Sequence, residues 1–599
     1  MGFYQILSSC VVAQLLLNCT IAPSAMALAA RNVFHEIIIG RSPFHHSSVG
    51  GIHMRIRATG CLILGLGLAG LLSGTVEEVF AAEDLSERNN LTVTRPTRPR
   101  FPDDVFSRMF PGLPPFAPQT DESREQAKKL GAIGGILDAG DNLTNPILSI
   151  TDPTFSPNNP NNPNMTAGVT FFGQFLDHDP TLALKAPLLE RTEPRRTTNF
   201  RTAEFDLDSV YGNGPTGSPE LYDTSSGDIK FKVEAIPGSE AVSRKGAQRF
   251  DLPRDPSNNN AIIADSRNDE NLLLSQFHLA MLKFHNAVVD RLRADTANAT
   301  RSAQDVFKEA QQQVRWHYQW IVLNEFLPLT IGQDRVDEIL RNGPRFYRVT
   351  DRTQDSVFRS PRREPLIPVE FAVAAYRFGH SQIRPSYRVN FGAADGNEFF
   401  AFIFTESAAQ EGADPNDLRG GKRAPRRFVD WQTFFKFDDV NFRPNKKIDS
   451  KLSTPLMLLP GSPVPAPGLP NDGVQSLASR NLMRHVNFGI PSGQSIARVM
   501  GVRVLTPAQL AELAPFNMDK STPLWYYILK EAEVFENGLR MGPVGSRIVG
   551  EVFIGLLKAD KDSYLTVNKN WKPTLPSATP GDFEITDLLK FAGVVPPLQ

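Results

Sequence analysis

Gln174 and His178 are the first residues of the chain whose types and spacing could perform acid–base chemistry. If this segment is helical, the two side chains share one face because they are four residues apart. A neutral imidazole beside an amide could take a proton from a small polar substrate and return it. A structural histidine in the core, flanked by the solvated carboxylates of Asp177 and Asp179, would give the same pattern. This segment alone therefore leaves both interpretations open.

A second candidate is a loop with an oxygen donor at every second position, at Thr202, Glu204, Asp206 and Asp208. Such spacing suits a loop that wraps Ca²⁺ with side-chain and main-chain oxygens. Asp179 could complete the site from the helix that carries the histidine. An acidic surface turn would have a similar composition, so the loop by itself predicts a calcium site without excluding that alternative.

Arg267 lies in a segment of acidic and amide residues, 265–271, at the start of a predicted helix. An arginine beside a histidine can stabilise an oxyanion and assist cleavage of a peroxide bond, although the same composition also caps helices well. His380 ends an apolar predicted helix, 367–380, which gives it the surroundings of an axial ligand to haem iron. Asn481 could accept the other ring N–H of this histidine and fix its tautomer. The remaining histidines downstream of residue 82 are interpreted as structural: His278, His285, His317 and His485.

Four segments together resemble the haem sites of the animal-type haem peroxidases, in the peroxidase–cyclooxygenase superfamily. They are residues 173–179, 267–271, 376–380 and 481–484. The order of these segments is that of the family, and the resemblance extends over roughly residues 125–560. It points to the secreted, bacterial-style members that are similar to peroxidasin and peroxinectin.

The resemblance implies a role for each matching residue on the two sides of a haem b. His178 is the implied distal acid–base residue, with Gln174 as its neighbour and Arg267 as the distal arginine. His380 is the implied iron ligand. Asn481 would hold its free ring nitrogen, and Arg484 would pair with a propionate.

Carboxylates have two further implied roles. Asp177 and Glu270 match residues that form ester bonds to the haem in many members of the family. The implied Ca²⁺ ligands are Asp179, Thr202, the carbonyl of Glu204, Asp206 and Asp208.

The resemblance implies a secreted enzyme that reduces hydrogen peroxide at a haem iron. It would oxidise small organic donors or halides through an oxyferryl intermediate. Asn271 stands where some members carry a methionine that links to the haem and raises its oxidising power, so efficient chloride oxidation is not expected. Arg377 stands where cyclooxygenases place a radical tyrosine, and Tyr376 is one position earlier, which argues against a fatty-acid oxygenase. That oxygenase and a non-catalytic adhesion or matrix-binding protein are the alternatives.

The elements that must position these residues are predicted to be mainly helical. Apolar residues recur at helical spacing in 169–177, 270–294, 303–328, 367–380, a helix from Ser476, 506–513 and 521–538, with short helices after 545. Loops are predicted at 152–165, 408–427 and 460–472 because of their turn-forming or polar composition. We therefore predict a mainly α fold: a single large haem peroxidase domain with long irregular loops and little β structure.

Composition excludes some partners. The 599 residues include 64 Lys and Arg against 65 Asp and Glu, a net charge of -1. This balance gives no electrostatic footprint for nucleic acid or for anionic lipid.

The N-terminal region is predicted to direct export. Residues 54–82 combine a basic start, an apolar core too short and Gly-rich for a stable membrane span, and a cleavage site near Ala82. We predict that residues 1–53 are over-called and that translation starts at Met54, with a genuine long extension from Met1 as the alternative. Residues 83–124 are predicted to form an extended arm and 125–599 the haem peroxidase domain. The three cysteines, Cys10, Cys19 and Cys61, all precede the cleavage site, so any oligomer of the mature protein would be non-covalent.

Overall fold

Helices dominate the computed structural model, with 46% of residues in helix and 9% in strand, which confirms the mainly α prediction. The structure describes residues 105–183, 187–295, 300–348, 350–351, 363–393, 396–405, 412–437, 440–460 and 474–596. The longer α-helices are α1 (Asp121–Leu130), α2 (Gly168–His178), α3 (Leu272–Ala294), α4 (Ala303–Ile321), α5 (Gln333–Asn342), α6 (Leu477–Asn487), α7 (Gly493–Met500), α8 (Leu524–Glu536), α9 (Pro543–Ala559) and α10 (Ile585–Phe591).

Shorter helical segments connect these elements. The short α-helices are Leu148–Thr151, Asp208–Tyr211, Gly214–Gly217, Ser239–Val242, Leu327–Ile331, Val369–Ala372 and Tyr564–Val567. The 3-10 helices are Pro194–Arg196, Pro219–Leu221, Thr224–Ser226, Arg244–Gly246, Ser266–Asp269, Ala375–Gln382, Trp431–Thr433, Thr454–Met457 and Pro507–Phe516. The segment Val322–Phe326 is a π-helix.

Strands form only small antiparallel pairs among the described residues: β1 with β8, β2 with β3, β4 with β5 and β6 with β7. They are β1 (Asn161–Thr166), β2 (Glu234–Ala235), β3 (Phe250–Asp251), β4 (Thr350–Asp351), β5 (Arg363–Glu364), β6 (Ser386–Asn390), β7 (Phe399–Phe402) and β8 (Pro444–Lys446). In the longest ladder Ser386 pairs with Phe402 and Tyr387 with Ala401. Strand β1 overlaps the end of the predicted loop 152–165, because β8 offers its Asn162 a ladder partner that local sequence cannot reveal.

Helices α2 and α3 form the centre of the core. Phe172 and Phe175 of α2 pack on Phe277 of α3, with ring centroids 5.5 Å and 5.3 Å apart. All three rings are fully buried, and burial of each contributes about 1.5–3 kcal/mol. Asn271 is the N-cap residue of helix α3, and its side chain accepts a hydrogen bond from the backbone N–H of Leu274. The packing fixes the end of α2, and with it His178, relative to α3.

The predicted helix 367–380 is wrong as a single element. A short α-helix, Val369–Ala372, is followed by the 3-10 helix Ala375–Gln382, and Ala374 between them has φ -129° and ψ -78°. Tertiary contacts hold this irregular path: the indole N–H of Trp525 donates to the carbonyl of Arg377 at 3.0 Å. His380 therefore lies in a 3-10 helix.

The segment after residue 545 is also longer than predicted. Helix α9 has 17 residues, and its glycines lower its local helix propensity. Gly550 lies against Ile331 and Ile339, and Gly555 lies against the ring of Tyr347. These close approaches compensate for the propensity, because a Cβ at either glycine would meet a neighbour at less than 3 Å.

The predicted helix 303–328 is continuous but not uniform. Helix α4 passes into the π-helix Val322–Phe326 and then into Leu327–Ile331. A π turn of this kind often marks a functional site, and Phe326 lies in the wall of the cavity described below.

The described part of the predicted arm, from residue 105, packs against the body of the protein. The carboxylate of Glu370 accepts hydrogen bonds from the backbone N–H groups of Met109 and Phe110, at 2.9 Å and 3.1 Å. Helix α1 begins at Asp121, before the predicted boundary at residue 125. The predicted extension and signal peptide, with the cysteines they contain, lie outside the described residues. Among the described helices, none combines the length and apolar character that a membrane span requires.

Candidate active site

A cavity of about 850 Å³ brings most of the predicted site residues together. Its wall is formed by α2, the 3-10 helices Ser266–Asp269 and Ala375–Gln382, and α6. The predicted residues that line it are Gln174, Asp177, His178, Arg267, Glu270, His380 and Arg484.

His178 is held by a chain of hydrogen bonds on the side of its ring away from the cavity. Its Nδ1 lies 2.9 Å from Oδ1 of Asn268, whose Nδ2 lies 3.0 Å from Nδ1 of His278. Burial, reinforced by Arg267, lowers the pKa of His178 to about 3, so the ring is neutral near pH 7. Asn268 was missed in the sequence, since its partner is 90 positions away and nothing local signals the contact.

Arg267 is fixed beside His178 by an ion pair and a backbone contact. Its Nε and Nη2 donate to the carboxylate of Asp265 at 3.0 Å and 2.7 Å, and Nη2 also donates to the carbonyl of His178 at 2.9 Å. Asp265 is shared with the buried Arg201, at 2.7 Å. Burial alone would raise the pKa of Asp265, but the two guanidinium groups outweigh it and lower that pKa. Asp265 is therefore an anion that holds two cations.

Gln174 bridges two residues of the segment 265–271, which is called the distal segment below. Its Nε2 donates to Oε2 of Glu270 at 3.3 Å, and its Oε1 accepts from Nδ2 of Asn271 at 3.2 Å. Solvent reaches Glu270 through the cavity, yet the carboxyl lies deep among protein atoms, and this burial raises its pKa to about 7. Burial also raises the pKa of Asp177, although Arg377 and Arg267 partly offset it. The carboxyl group of Glu270 is thus protonated part of the time near neutral pH.

The distal segment is clamped from outside the cavity. Arg254 binds both carboxylate oxygens of Asp269, at 2.7 Å and 3.0 Å. Gly420 packs so closely that a Cβ would lie 1.5 Å from the carbonyl oxygen of Asp269, and its N–H donates to the carbonyl of Glu270 at 3.0 Å. Only glycine fits this approach, which helps to fix the position of Glu270.

His380 contacts Asn481, as the sequence predicted. Nδ1 of the ring lies 2.8 Å from Nδ2 of the amide, and Oδ1 of the amide accepts from Nη1 of Arg377 at 3.4 Å. In this orientation the amide donates to the ring, the reverse of the predicted direction. Burial, then Arg377 and Arg484, lower the pKa of His380 to about 3, so the ring is neutral near pH 7.

Positive charge gathers at the cavity around α6. Arg480 and Arg484 are one helical turn apart on this helix, and both line the cavity together with Arg377. Arg480 was missed in the sequence, although its spacing of four residues from Arg484 places both on one face. Three guanidinium groups suit an anionic ligand with more than one carboxylate.

A second cluster joins the carboxylates of Asp179, Asp206 and Asp208, all buried, with one oxygen of each within 4.8 Å of the others. Leu207, between the last two, has φ 60° and ψ 34°, a left-handed conformation that is uncommon for leucine and that turns the chain here. Burial raises the pKa of Asp179, as do the two neighbouring carboxylates, and burial raises that of Asp208 to about 7. Three buried carboxylates this close together repel one another, and they are the donor set expected of a site for a hard cation.

The other predicted calcium ligands lie in the same loop. Thr202 Oγ1 donates to Oδ1 of Asp206 at 2.9 Å, so its oxygen is beside the cluster. Glu204 is two residues further along the loop, and the role of its carbonyl stays a prediction.

The cavity also fits a haem. A neutral imidazole whose Nε2 has no protein partner among the described residues, arginines for carboxylates, and an apolar part of the wall match the requirements of this group. The apolar part of the wall includes Phe326, Phe378, Ile383, Ile403 and Leu456.

Comparison with known proteins gives consistent matches. Residues 184–412 match the family described as Animal haem peroxidase, a range that contains Arg267 and His380. A peroxidasin homologue from Caenorhabditis briggsae is 24% identical over 410 residues, 63% of this chain and 28% of that protein. Thyroid peroxidase from Mus musculus is 25% identical over 399 residues, 62% of this chain and 39% of that protein. The chain thus spans well under half the length of these relatives.

Among solved structures, peroxidase A from Dictyostelium discoideum has a similar fold. The TM-score is 0.51 at 16% sequence identity, and the match covers 83% of this chain and 95% of that one.

Proposed function

We propose that this chain is a haem peroxidase that reduces hydrogen peroxide and oxidises small organic donors or halides, since residues 184–412 match the animal haem peroxidase family and the similar relatives include a peroxidasin homologue and thyroid peroxidase. The observation that carries the proposal is the cavity that His178 and His380 both line. Each ring has its Nδ1 engaged by an asparagine, which leaves Nε2 of both rings for the cavity.

In this proposal the proximal residues hold the cofactor. His380 would bind the iron through Nε2. Arg484 would pair with a propionate, and Arg480 and Arg377 lie beside it in the cavity wall. Iron binding requires hydrogen on Nδ1, which is satisfied when Oδ1 of Asn481 faces the ring, so we infer that the amide turns over when the cofactor binds. Haem bound here would supply the electrons that reduce the peroxide bond and would then accept electrons from donors one or two at a time.

The distal residues would move the proton. Nε2 of His178 accepts a proton from one peroxide oxygen and returns it to the other, which leaves as water. The low pKa of His178 makes its protonated form a strong acid, which suits the return step. Arg267, held as a cation by Asp265, stabilises the negative charge that develops on the peroxide.

Three further features belong to the proposal. Asp177 and Glu270, which line the cavity, would form ester bonds to the haem. The cluster of Asp179, Asp206 and Asp208 would bind Ca²⁺ and tie the loop to the residue after His178. Export through residues 54–82 would place the enzyme outside the cytoplasm, as predicted from the sequence.

The test is the absorption spectrum of purified protein loaded with haem, before and after addition of H₂O₂, together with donor turnover. A Soret band that shifts within the mixing time and returns when donor is added supports the proposal. His380→Ala should lose the band, whereas His178→Ala should keep it and react about 10²–10⁴ times more slowly. Oxygen uptake with fatty acids without peroxide turnover would favour the oxygenase, and haem loading without either reaction would favour the adhesion protein.

A further inference from the structure

The distal histidine is the start of a three-residue hydrogen-bond chain that reaches away from the cavity. His178 lies on α2, Asn268 on the 3-10 helix Ser266–Asp269 and His278 on α3. Asn268 and His278 are both fully buried, at 0% exposure. The two contacts, 2.9 Å and 3.0 Å, are both short enough for hydrogen bonds with defined directions.

An asparagine between two imidazole rings couples the directions of its two hydrogen bonds, because its side chain has one accepting and one donating end. Its Oδ1 faces Nδ1 of His178, so that nitrogen must carry the hydrogen. Its Nδ2 faces Nδ1 of His278, so that nitrogen must be the acceptor and His278 must carry its hydrogen on Nε2. Rotation of the amide would bring Nδ2 against His178 and leave the lone pairs of Oδ1 and of His278 facing each other.

His278 itself cannot turn freely. Its ring packs edge-on against Phe175 of α2, with centroids 6.2 Å apart, and its Nε2 has no protein hydrogen-bond partner among the described residues. Burial lowers its pKa to about 3, so the ring stays neutral. With Nδ2 of Asn268 as the donor, Nδ1 of His278 is the acceptor, and the orientation of this one amide sets the direction of both hydrogen bonds.

We propose that Asn268 and His278 are positioning residues that lock His178 in the tautomer with hydrogen on Nδ1, so that Nε2 is available as the proton acceptor in the cavity. This inference rests on the proposed function and deepens it. It also changes the interpretation of His278, which the sequence suggested was structural.

The chain offers a sharp test because Asp and Leu both resemble Asn in size. Asn268→Asp keeps an acceptor for the Nδ1–H of His178, whereas Asn268→Leu removes it. We expect Asn268→Leu to lower the rate constant for H₂O₂ by about tenfold or more, while Asn268→Asp retains most of it. A purely structural role predicts the opposite order, since a carboxylate at this buried position is costlier than a leucine.

Two variants on α3 provide a second test, at His278, and its control, at His285. His278→Leu frees the amide of Asn268 to rotate and should lower the same rate constant, by a smaller factor. His285→Leu changes another fully buried histidine of α3, whose partners are the hydroxyl of Tyr211 at 3.0 Å and the carbonyl of Ile229 at 2.9 Å, outside the cavity. It should lower the melting temperature without lowering the rate constant.

Cyanide provides a second readout without turnover. Hydrogen cyanide gives up its proton when cyanide binds ferric haem, so its affinity also depends on a distal acceptor. We expect the affinity to fall in Asn268→Leu and to persist in Asn268→Asp. Equal rates and equal cyanide affinities for Asn268→Leu and the wild type would overturn the inference. Wild-type protein that binds haem but does not react with H₂O₂ would overturn the proposed function alone, because the cyanide titrations would still test the tautomer.

Discussion

The amide of Asn481 lies 2.8 Å from Nδ1 of His380, while Arg377 occupies the other end of the same amide at 3.4 Å. The asparagine is thus shared between a ring nitrogen and a guanidinium. An imidazole that binds iron through Nε2 must donate from Nδ1, and then the amide nitrogen would face Arg377, donor against donor. Haem binding should therefore displace Arg377 from the amide.

Asn481→Asp should give the ring N–H of His380 a stronger hydrogen-bond acceptor. It should lower the Fe(III)/Fe(II) midpoint potential, because a carboxylate makes the ring more electron-rich. Asn481→Leu should raise the potential and weaken haem retention by about 10–100-fold. Spectroelectrochemistry and haem transfer to a competing apoprotein measure the two effects. Asn487→Asp, on a buried asparagine of the same helix, is the control and should leave the potential unchanged. Equal potentials in all variants would contradict the assignment.

Haem should stay with the polypeptide in acidified organic solvent if Asp177 and Glu270 form esters. Asp177→Asn and Glu270→Gln should each leave one link, and the double variant should release all haem. Extraction followed by mass spectrometry of haem-bearing peptides measures this. Complete release from the wild type would show that the carboxyl groups line the cavity without reacting.

Removal of a bound cation should destabilise the protein, because Asp179, Asp206 and Asp208 would be left as three neighbouring buried acids. A ligand at 100 times its Kd stabilises the folded state by about 2.7 kcal/mol. We expect EDTA to lower the melting temperature of the wild type but not of Asp208→Asn. Asp255→Asn, in an exposed turn, should respond like the wild type. An identical melting temperature with and without chelator, with no Ca²⁺ by elemental analysis, would refute the site.

Acid should destabilise the fold through His317, far from the cavity wall. Its Nδ1 donates to the carbonyl of Gln313, and its Nε2 accepts from the N–H groups of Thr574 and Leu575, each at 3.2 Å. Burial lowers its pKa from 6.5 to about 4. The unfolded chain therefore binds the proton first as pH falls, and stability of about 3 kcal/mol, present above pH 6.5, is lost by pH 4.

His317→Gln removes this titration while keeping a donor and an acceptor. Thermal unfolding at pH 7 and pH 4.5 should show a smaller pH effect in the variant than in the wild type. The same pH effect in both proteins would mean that His317 does not titrate as its surroundings indicate.

Much of the architecture follows from the sequence because helical periodicity is local. Helices α2 and α3 begin and end within a few residues of their predicted limits. Helix α4 begins at its predicted residue but gives way to the π-helix Val322–Phe326 before the predicted end at 328. The motifs also indicated seven polar or charged residues of the cavity wall. The irregular path to His380 was missed, since Trp525 and Arg377 are 148 positions apart when they make the contact that holds it. Asn268 was not predicted for the same reason, since its hydrogen bonds are to residues that only the fold brings beside it.

Asp265 connects the acidic cluster to the cavity through side-chain contacts. Through Arg201 it reaches Asp208 of the acidic cluster, 3.7 Å away, and through its own carboxylate it holds Arg267 at the cavity. Energetic coupling between two binding sites is reciprocal. A cation at the cluster that displaces Arg201 would alter the ion pair between Asp265 and Arg267, and so change the affinity of an anion bound near Arg267. That anion must then change the affinity for the cation by the same factor. The affinity for the cation, measured with and without such an anion, would then show whether an anion is bound beside Arg267 in the cavity.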